Sequence, residues 1–430
     1  MKIHSVLTVV AVFLVVAGPT NAQKLWDPLA VDVTRSITRN LFDNNAVPYV
    51  QPMVTAINAT SNARFYDAAY VPAKVDKPYF RISMNGMAGK VSDAMKVYTP
   101  GLDFGPRIDV VSVLGQYGSL KFDNGKFVYQ IKPTYGDTLG LTTSLVKELL
   151  RDALDSGYFA LPPQAATLFG SMPDVRVGLP TSDKMLELLH NRQEYKVMDS
   201  TGKASLDTLL TKLKLPSSLT LPPGVNLSTL IAAVPQVEIG SLYGTEAIIR
   251  FIPPVEFDKN VGRFAFWGFG LRHSISQYFP ERWFDMAIQA VYQGTSLSNT
   301  VGFTQAKLDA DATIWSGNVH ISKEWWEAVA IYTGVNVERI DVTTAYTYTL
   351  PQEVQVQLGL LPPPPDVGQP SVPTAEQPGD NNPQTSTVKS HNVNLKWTLG
   401  VTGKLGPVRL AVDYSVSKFN IITAGLSYTF

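Results

Sequence analysis

His273-Ser274-Ile275-Ser276 sets a base beside hydroxyls, the pair that acyl transfer uses when a histidine takes the proton of an attacking serine. The surrounding run, Trp267 to Ile275, alternates apolar and polar residues. Neighbours in such a strand point to opposite faces, so His273 can reach neither Ser274 nor Ser276. His190, His320 and His391 are scattered without the short spacing of a metal site. The chain has no cysteine, which removes disulfides, thiolate ligands and thiol nucleophiles. Thr201-Gly202-Lys203 lacks the rest of a phosphate loop. The sequence therefore predicts no enzyme, no cofactor and no metal.

A second set of polar residues recurs at every other position. Arg250, Arg272, Asp285, Gln289, Lys307, Asp309, Asp311, Arg339, Asp341, Lys396, Arg409 and Asp413 alternate with apolar neighbours. In a tube of strands they are candidates for the inner face. Six are cationic, and with Glu246 the carboxylates number six. A pore selecting by charge sign would be biased toward one sign. Balance instead predicts cross-strand pairing inside a filled lumen.

The elements that must hold them are strands. Segments 421–430, 408–416, 392–402, 339–350, 325–336, 304–316, 282–293, 262–276, 245–252 and 234–241 alternate with period two. Several reach the ~9–11 residues that a tilted strand needs to cross a bilayer. Aromatic residues gather near segment ends, as interfacial girdles do. Adding 78–90, 107–115, 118–123 and 126–132 predicts an all-β transmembrane antiparallel barrel of about twelve to fourteen strands. Short turns are expected on the periplasmic side at Asn336–Glu338 and Gly403–Pro407. The last strand, with Ile422, Leu426, Tyr428 and Phe430 on one face, resembles the closing strand that the barrel-assembly machinery reads in bacterial outer-membrane proteins. Phe430 is expected at the periplasmic rim, beside Phe80.

Residues 1–22 read as a signal peptide, with Lys2, an apolar run and Thr20-Asn21-Ala22. Residues 23–77 read as a helical plug or periplasmic cap, its stripe Leu29, Val33, Ile37 and Leu41 broken by Pro48 and Pro52. The barrel spans 78–430. Within it, 137–232 is a helical insertion expected to leave from the periplasmic side, with helices near 142–156, 183–193 and 204–214. Residues 351–390, with Pro362–Pro365, read as a disordered external loop. Lys plus Arg equals Asp plus Glu, 36 each, so no bulk field favours nucleic acid.

Glu238–Pro253, Phe266–Gln277 and Asn62–Ala69 resemble an uncharacterised family of bacterial outer-membrane β-barrel proteins. That resemblance implies an outer-membrane location, lipid contact and no established activity. The layout is distantly similar to fatty-acid-transporter barrels, from which the insertion departs. The expected function is a plugged barrel that passes or binds a hydrophobic small molecule, with Gly268 and Gly270 leaving room for plug or ligand. The alternative is a structural or partner-binding outer-membrane protein without transport.

Overall fold

The computed structural model describes residues 27–107, 118–123, 126–131, 139–196, 200–258, 262–301, 306–366 and 369–430. Ten antiparallel strands close into one barrel. They are β1 (Tyr79–Lys90), β2 (Thr229–Leu242), β3 (Thr245–Asp258), β4 (Gly262–Ser274) and β5 (Asp285–Val301), then β6 (Ala306–Trp325), β7 (Val329–Tyr348), β8 (Gln384–Leu405), β9 (Val408–Val416) and β10 (Ile421–Thr429). Each pairs with its sequence neighbour, and β1 closes the ring on β10 through pairs such as Ile82↔Tyr428 and Met84↔Leu426. A ring without edges satisfies its backbone internally, the condition for strands in lipid.

Ten strands close the barrel where twelve to fourteen were expected. Segments 325–336 and 339–350 are one strand, β7, whose Asn336 and Glu338 are buried inside rather than in a turn. Residues 118–123 and 126–131 pair only with each other. The strand expected over 107–115 falls almost wholly outside the described residues, as does the signal peptide. Strand parity then moves the insertion. It follows directly on the far end of β1, so it shares a rim with the 349–383 loop and lies opposite the termini of the barrel.

Outward residues form an apolar band, including Phe80, Ile82, Ile249, Phe269, Val335, Leu399, Val412 and Leu426. One rim carries tight turns. Tyr243-Gly244 and Trp326-Glu327 each have φ near +50° to +75°, the left-handed pair of the hairpin turn that matches strand twist. At the other rim β6, β7 and β8 run far past the band. On β7 the outward side changes from Val335 and Val337 to Arg339 and Asp341, while the inward side changes from Asn336 and Glu338 to Ile340, Val342 and Tyr346. The alternation never slips; its polarity inverts. Below the switch the wall has lipid outside and a polar filling, and above it water outside and an apolar filling.

That filling is helix α1, Pro28–Ser61. Asp27 caps it by accepting from the Leu29 amide at 2.9 Å, with proline at the first helical position. The helix runs through Pro48 and Pro52 rather than breaking. Its first half packs Leu29, Val33, Ile37 and Leu41 into a dome built by α2 (Leu139–Asp155), α3 (Ser182–Asn191), α4 (Ser200–Lys212) and Leu350–Leu360. Its second half enters the barrel, where Phe42, Met53 and Ile57 meet Leu308, Tyr346 and Tyr348. The 351–390 segment is not disordered where described. It contains a helical turn, Gln352–Gln357, it buries Val354, Leu358 and Leu361, and its Asp380 holds the Leu350 amide and Arg35. From Gln384 onward it is strand.

Candidate functional site

Beyond Ser61 the chain leaves the helix and descends the lower lumen as an irregular segment, Asn62 to Pro72. Non-helical backbone at membrane depth needs partners from the protein, and the wall supplies them. Arg250 donates to the Ser61 carbonyl at 2.8 Å and to that of Arg64, with its guanidinium 3.7 Å above the Phe65 ring. Lys396 donates to the Asn62 carbonyl at 2.7 Å, Gln289 to Phe65 at 3.3 Å, Arg272 to Ala68 at 3.2 Å and Thr402 to Asp67 at 3.0 Å. Ser322 accepts from the Ala69 amide at 2.8 Å. Tyr66 stacks on His320 at 4.1 Å.

Charges lock the same level. Arg272 meets Glu246 at 2.5 Å and Glu238 at 3.6 Å, and Arg81 pairs with Glu238. Asp67, carried by the plug, stands 3.7 Å from Arg409 and 3.9 Å from both Arg64 and Arg272. Lys396 binds Glu338 at 2.6 Å, and Tyr332 donates to Asp413 at 2.8 Å. Such pairs stabilise little in themselves, but breaking one strands a buried charge. The cluster therefore holds the plug in one position.

Of the residues expected in the lumen, Arg250, Arg272, Gln289, Lys396, Arg409 and Asp413 are there. Asp285 sits at the tight-turn rim, 2.7 Å from Arg282. Lys307, Asp309, Asp311, Arg339 and Asp341 point outward above the apolar band, paired as Lys307–Asp309 at 2.8 Å and Arg339–Asp341 at 3.3 Å. They follow the inverted part of the wall, where water lies outside. Gly268 and Gly270 abut Gln293 and Val291 of the neighbouring strand, not the plug. Room for the plug comes instead from Gly425 and Gly334, where a Cβ would meet the Arg64 guanidinium and the Tyr66 hydroxyl. Arg81 and Glu338 escaped sequence reading, although Arg81, Ser83 and Asn85 alternate with Phe80, Ile82 and Met84. Ile422, Leu426 and Tyr428 face outward on β10, and the Phe430 amide donates to the Phe80 carbonyl at 2.8 Å. His273 faces outward and Ser274 inward.

Above the charge lock lies a cavity of about 240 Å³ lined by Met53, Ile57 and Thr60 of α1, Leu227, Thr229, Leu230, Ile231 and Ala232 around β2, Phe264 and Leu297. Thr60 Oγ1 already donates to Ala56 and Ile57 carbonyls at 3.0 and 2.8 Å. Among the described residues no charged side chain lines it, and the lining is apolar apart from Thr60 and Thr229.

A family model described as a family of unknown function, DUF6588, matches residues 1–430. No curated protein matches the chain. Among solved structures, Ail, the attachment invasion locus protein of Yersinia pestis, is 12% identical over 43% of this chain and 93% of its own, with a TM-score of 0.21. The outer membrane protein opdK from Pseudomonas aeruginosa is 9% identical over 83% of this chain and 99% of its own, at 0.10. A BenF-like porin from Pseudomonas fluorescens Pf-5 is 10% identical over 49% and 69%, at 0.10. Likenesses at these scores carry no argument, and the architecture rests on the strand pairing of this chain.

Proposed function

We propose a function from the premise that the chain belongs to DUF6588, a family of unknown function: it is an outer-membrane β-barrel, sealed by its own N-terminal segment, that binds a hydrophobic small molecule above the seal. The observation that carries this reading is the 240 Å³ apolar cavity between α1 and the wall. That volume is room for about eight water-sized groups at ~30 Å³ each, enough for a short alkyl chain or a ring system. Small-molecule sites are concave and mostly apolar, and this one fits that description. The tight-turn rim faces the periplasm by the rule that periplasmic turns are short, which puts the dome outside. The apolar band, its aromatic edges and the closing strand support contact with outer-membrane lipid and recognition by the assembly machinery.

The charge lock supports binding rather than open passage, because the lower lumen is occupied by Arg64, Tyr66 and Asp67. A fluorescent alkyl probe titrated into the purified protein tests the reading. Leu297→Trp fills the cavity and is expected to abolish the probe signal while the barrel keeps its heat-modifiable migration. Equal binding by that variant would refute the site. In planar bilayers the intact chain is expected to stay closed and a chain lacking 27–77 to conduct.

The purely structural alternative draws on the dome, which has its own core of Leu150, Met185, Leu206 and Leu210. It is the reading to adopt if no apolar probe binds.

A further inference from the structure

We propose that the guest is a single acyl chain of a membrane amphiphile and that it reaches the cavity sideways, through a slot in the barrel wall between β2 and β3. The proposal rests on the cavity reading above and adds the route and the ligand class.

The ladder between β2 and β3 ends at Gln236↔Arg250. Beyond that pair, 229–235 keep their partners on β1 and 251–258 pair only toward β4, with a register shift between Phe264 and Phe266. Proline explains the end of the ladder. Pro235 cannot donate, and neither can Pro253 or Pro254. Pro253 and Pro254 are the residues skipped by that register shift, where neither can supply a donor to a ladder. Proline inside a sheet is otherwise confined to edges and bulges. This wall has an edge built into it.

The cavity reaches that edge. Leu230 and Ala232 face inward and Ile231 faces outward, 71% exposed, yet all three line it. Among the described residues none of β3 lines it, so on the described wall the cavity opens at the free side of β2.

Its height is set by aromatics. Phe251 is exposed and pairs with Trp267, which meets Tyr292 at 5.3 Å, and Tyr292 meets Trp315 at 4.4 Å. This outward group marks the interfacial girdle on the dome side. Unpaired backbone is costly in hydrocarbon, but headgroups and water can serve it at the girdle. A chain end can slide inward there while its polar head stays at the interface. The apolar side chains of the described lining, Met53, Ile57, Leu230, Phe264 and Leu297 among them, suit the alkyl portion.

The test is photolabelling of the full-length protein in liposomes containing phosphatidylcholine with a diazirine at its acyl terminus, beside a water-soluble diazirine alkanol added to the protein in detergent. Label on Met53, Ile57 or Phe264 from the phospholipid supports the slot. Two variants should lower that label severalfold: Pro253→Val with Pro254→Thr, which restores donors to β3, and Ala232→Trp at the lip, which serves if the first does not assemble. If the alkanol labels these residues and the phospholipid labels only Ile231, Phe251 or Trp267, the slot is overturned and the cavity reading survives. If neither probe labels the interior, both fall.

Discussion

Replacing Lys396 by methionine isolates what one buried charge contributes to holding the plug. Its ammonium lies 2.6 Å from Glu338 and 2.7 Å from the Asn62 carbonyl, with both side chains at most 3% exposed. After the substitution Glu338 retains donors only from Asn336 at 2.7 Å and Asn394 at 3.0 Å. Two amides do not neutralise a carboxylate, so the loss falls in the ~3–5 kcal/mol range of a broken buried pair. That is a factor of roughly 10² to 10³·⁵ in the unfolding equilibrium, at ~1.4 kcal/mol per tenfold. The double variant Glu338→Gln, Lys396→Met removes both charges. It should cost only ~1 kcal/mol, chiefly the bond to the Asn62 carbonyl. Urea unfolding of the reconstituted protein, followed by the heat-modifiable gel band, gives the four corners of the cycle. The coupling expected is at least ~2 kcal/mol. A single variant costing under ~1 kcal/mol, or a double variant equal to the sum of its singles, would refute the claim that this buried wall pair, from which Lys396 reaches the plug, depends on mutual neutralisation.

Other outcomes follow from the same geometry. Arg250→Met leaves the Ser61 and Arg64 carbonyls without their donor, at ~1–3 kcal/mol each. Protease nicking between Asn62 and Pro72 is expected to rise, and unchanged resistance would contradict the role given to Arg250. Gly425→Val places a side chain where a Cβ already lies 2.3 Å from Arg64 Nε. The thermal transition should fall by several degrees, whereas Gly317→Val, with open space around it, should leave it in place. Deleting Phe430 removes the hydrogen bond from its amide to the Phe80 carbonyl and the ring packed 4.7 Å from Tyr428. Less protein is expected to reach the folded band, and normal insertion of the truncated chain would count against its place in assembly.

The barrel was legible because lipid enforces period two over long runs, and β4, β8, β9 and β10 each carry it without interruption. The inner face was legible only where the wall is bounded by lipid, at Arg250, Arg272, Gln289, Lys396, Arg409 and Asp413. Alternation reports that two faces differ, not which of them is wet. On β6 and β7 the filling changes from polar plug to apolar helix, so the same rule assigns Lys307 and Arg339 to the wrong side. Strand number suffered from a related ambiguity. Asn336-Val337-Glu338 looks like a turn until Lys396 and Asn394 are seen to meet Glu338 across β8. The lock itself depends on the plug, whose Arg64 and Asp67 lie in no periodic segment; the Asn62–Ala69 block was legible as a family resemblance but not as a partner of the wall.

Helix α1, at ~1.5 Å per residue, is a shaft of about 51 Å over its 34 residues. One end is bolted into a dome made from the loops of the wall, and the other leads through the irregular segment after Ser61 into β1, which closes the ring against β10. The rod and the cask are thus one length of chain, and a plug freed from the lumen would stay tethered to β1 at the tight-turn rim.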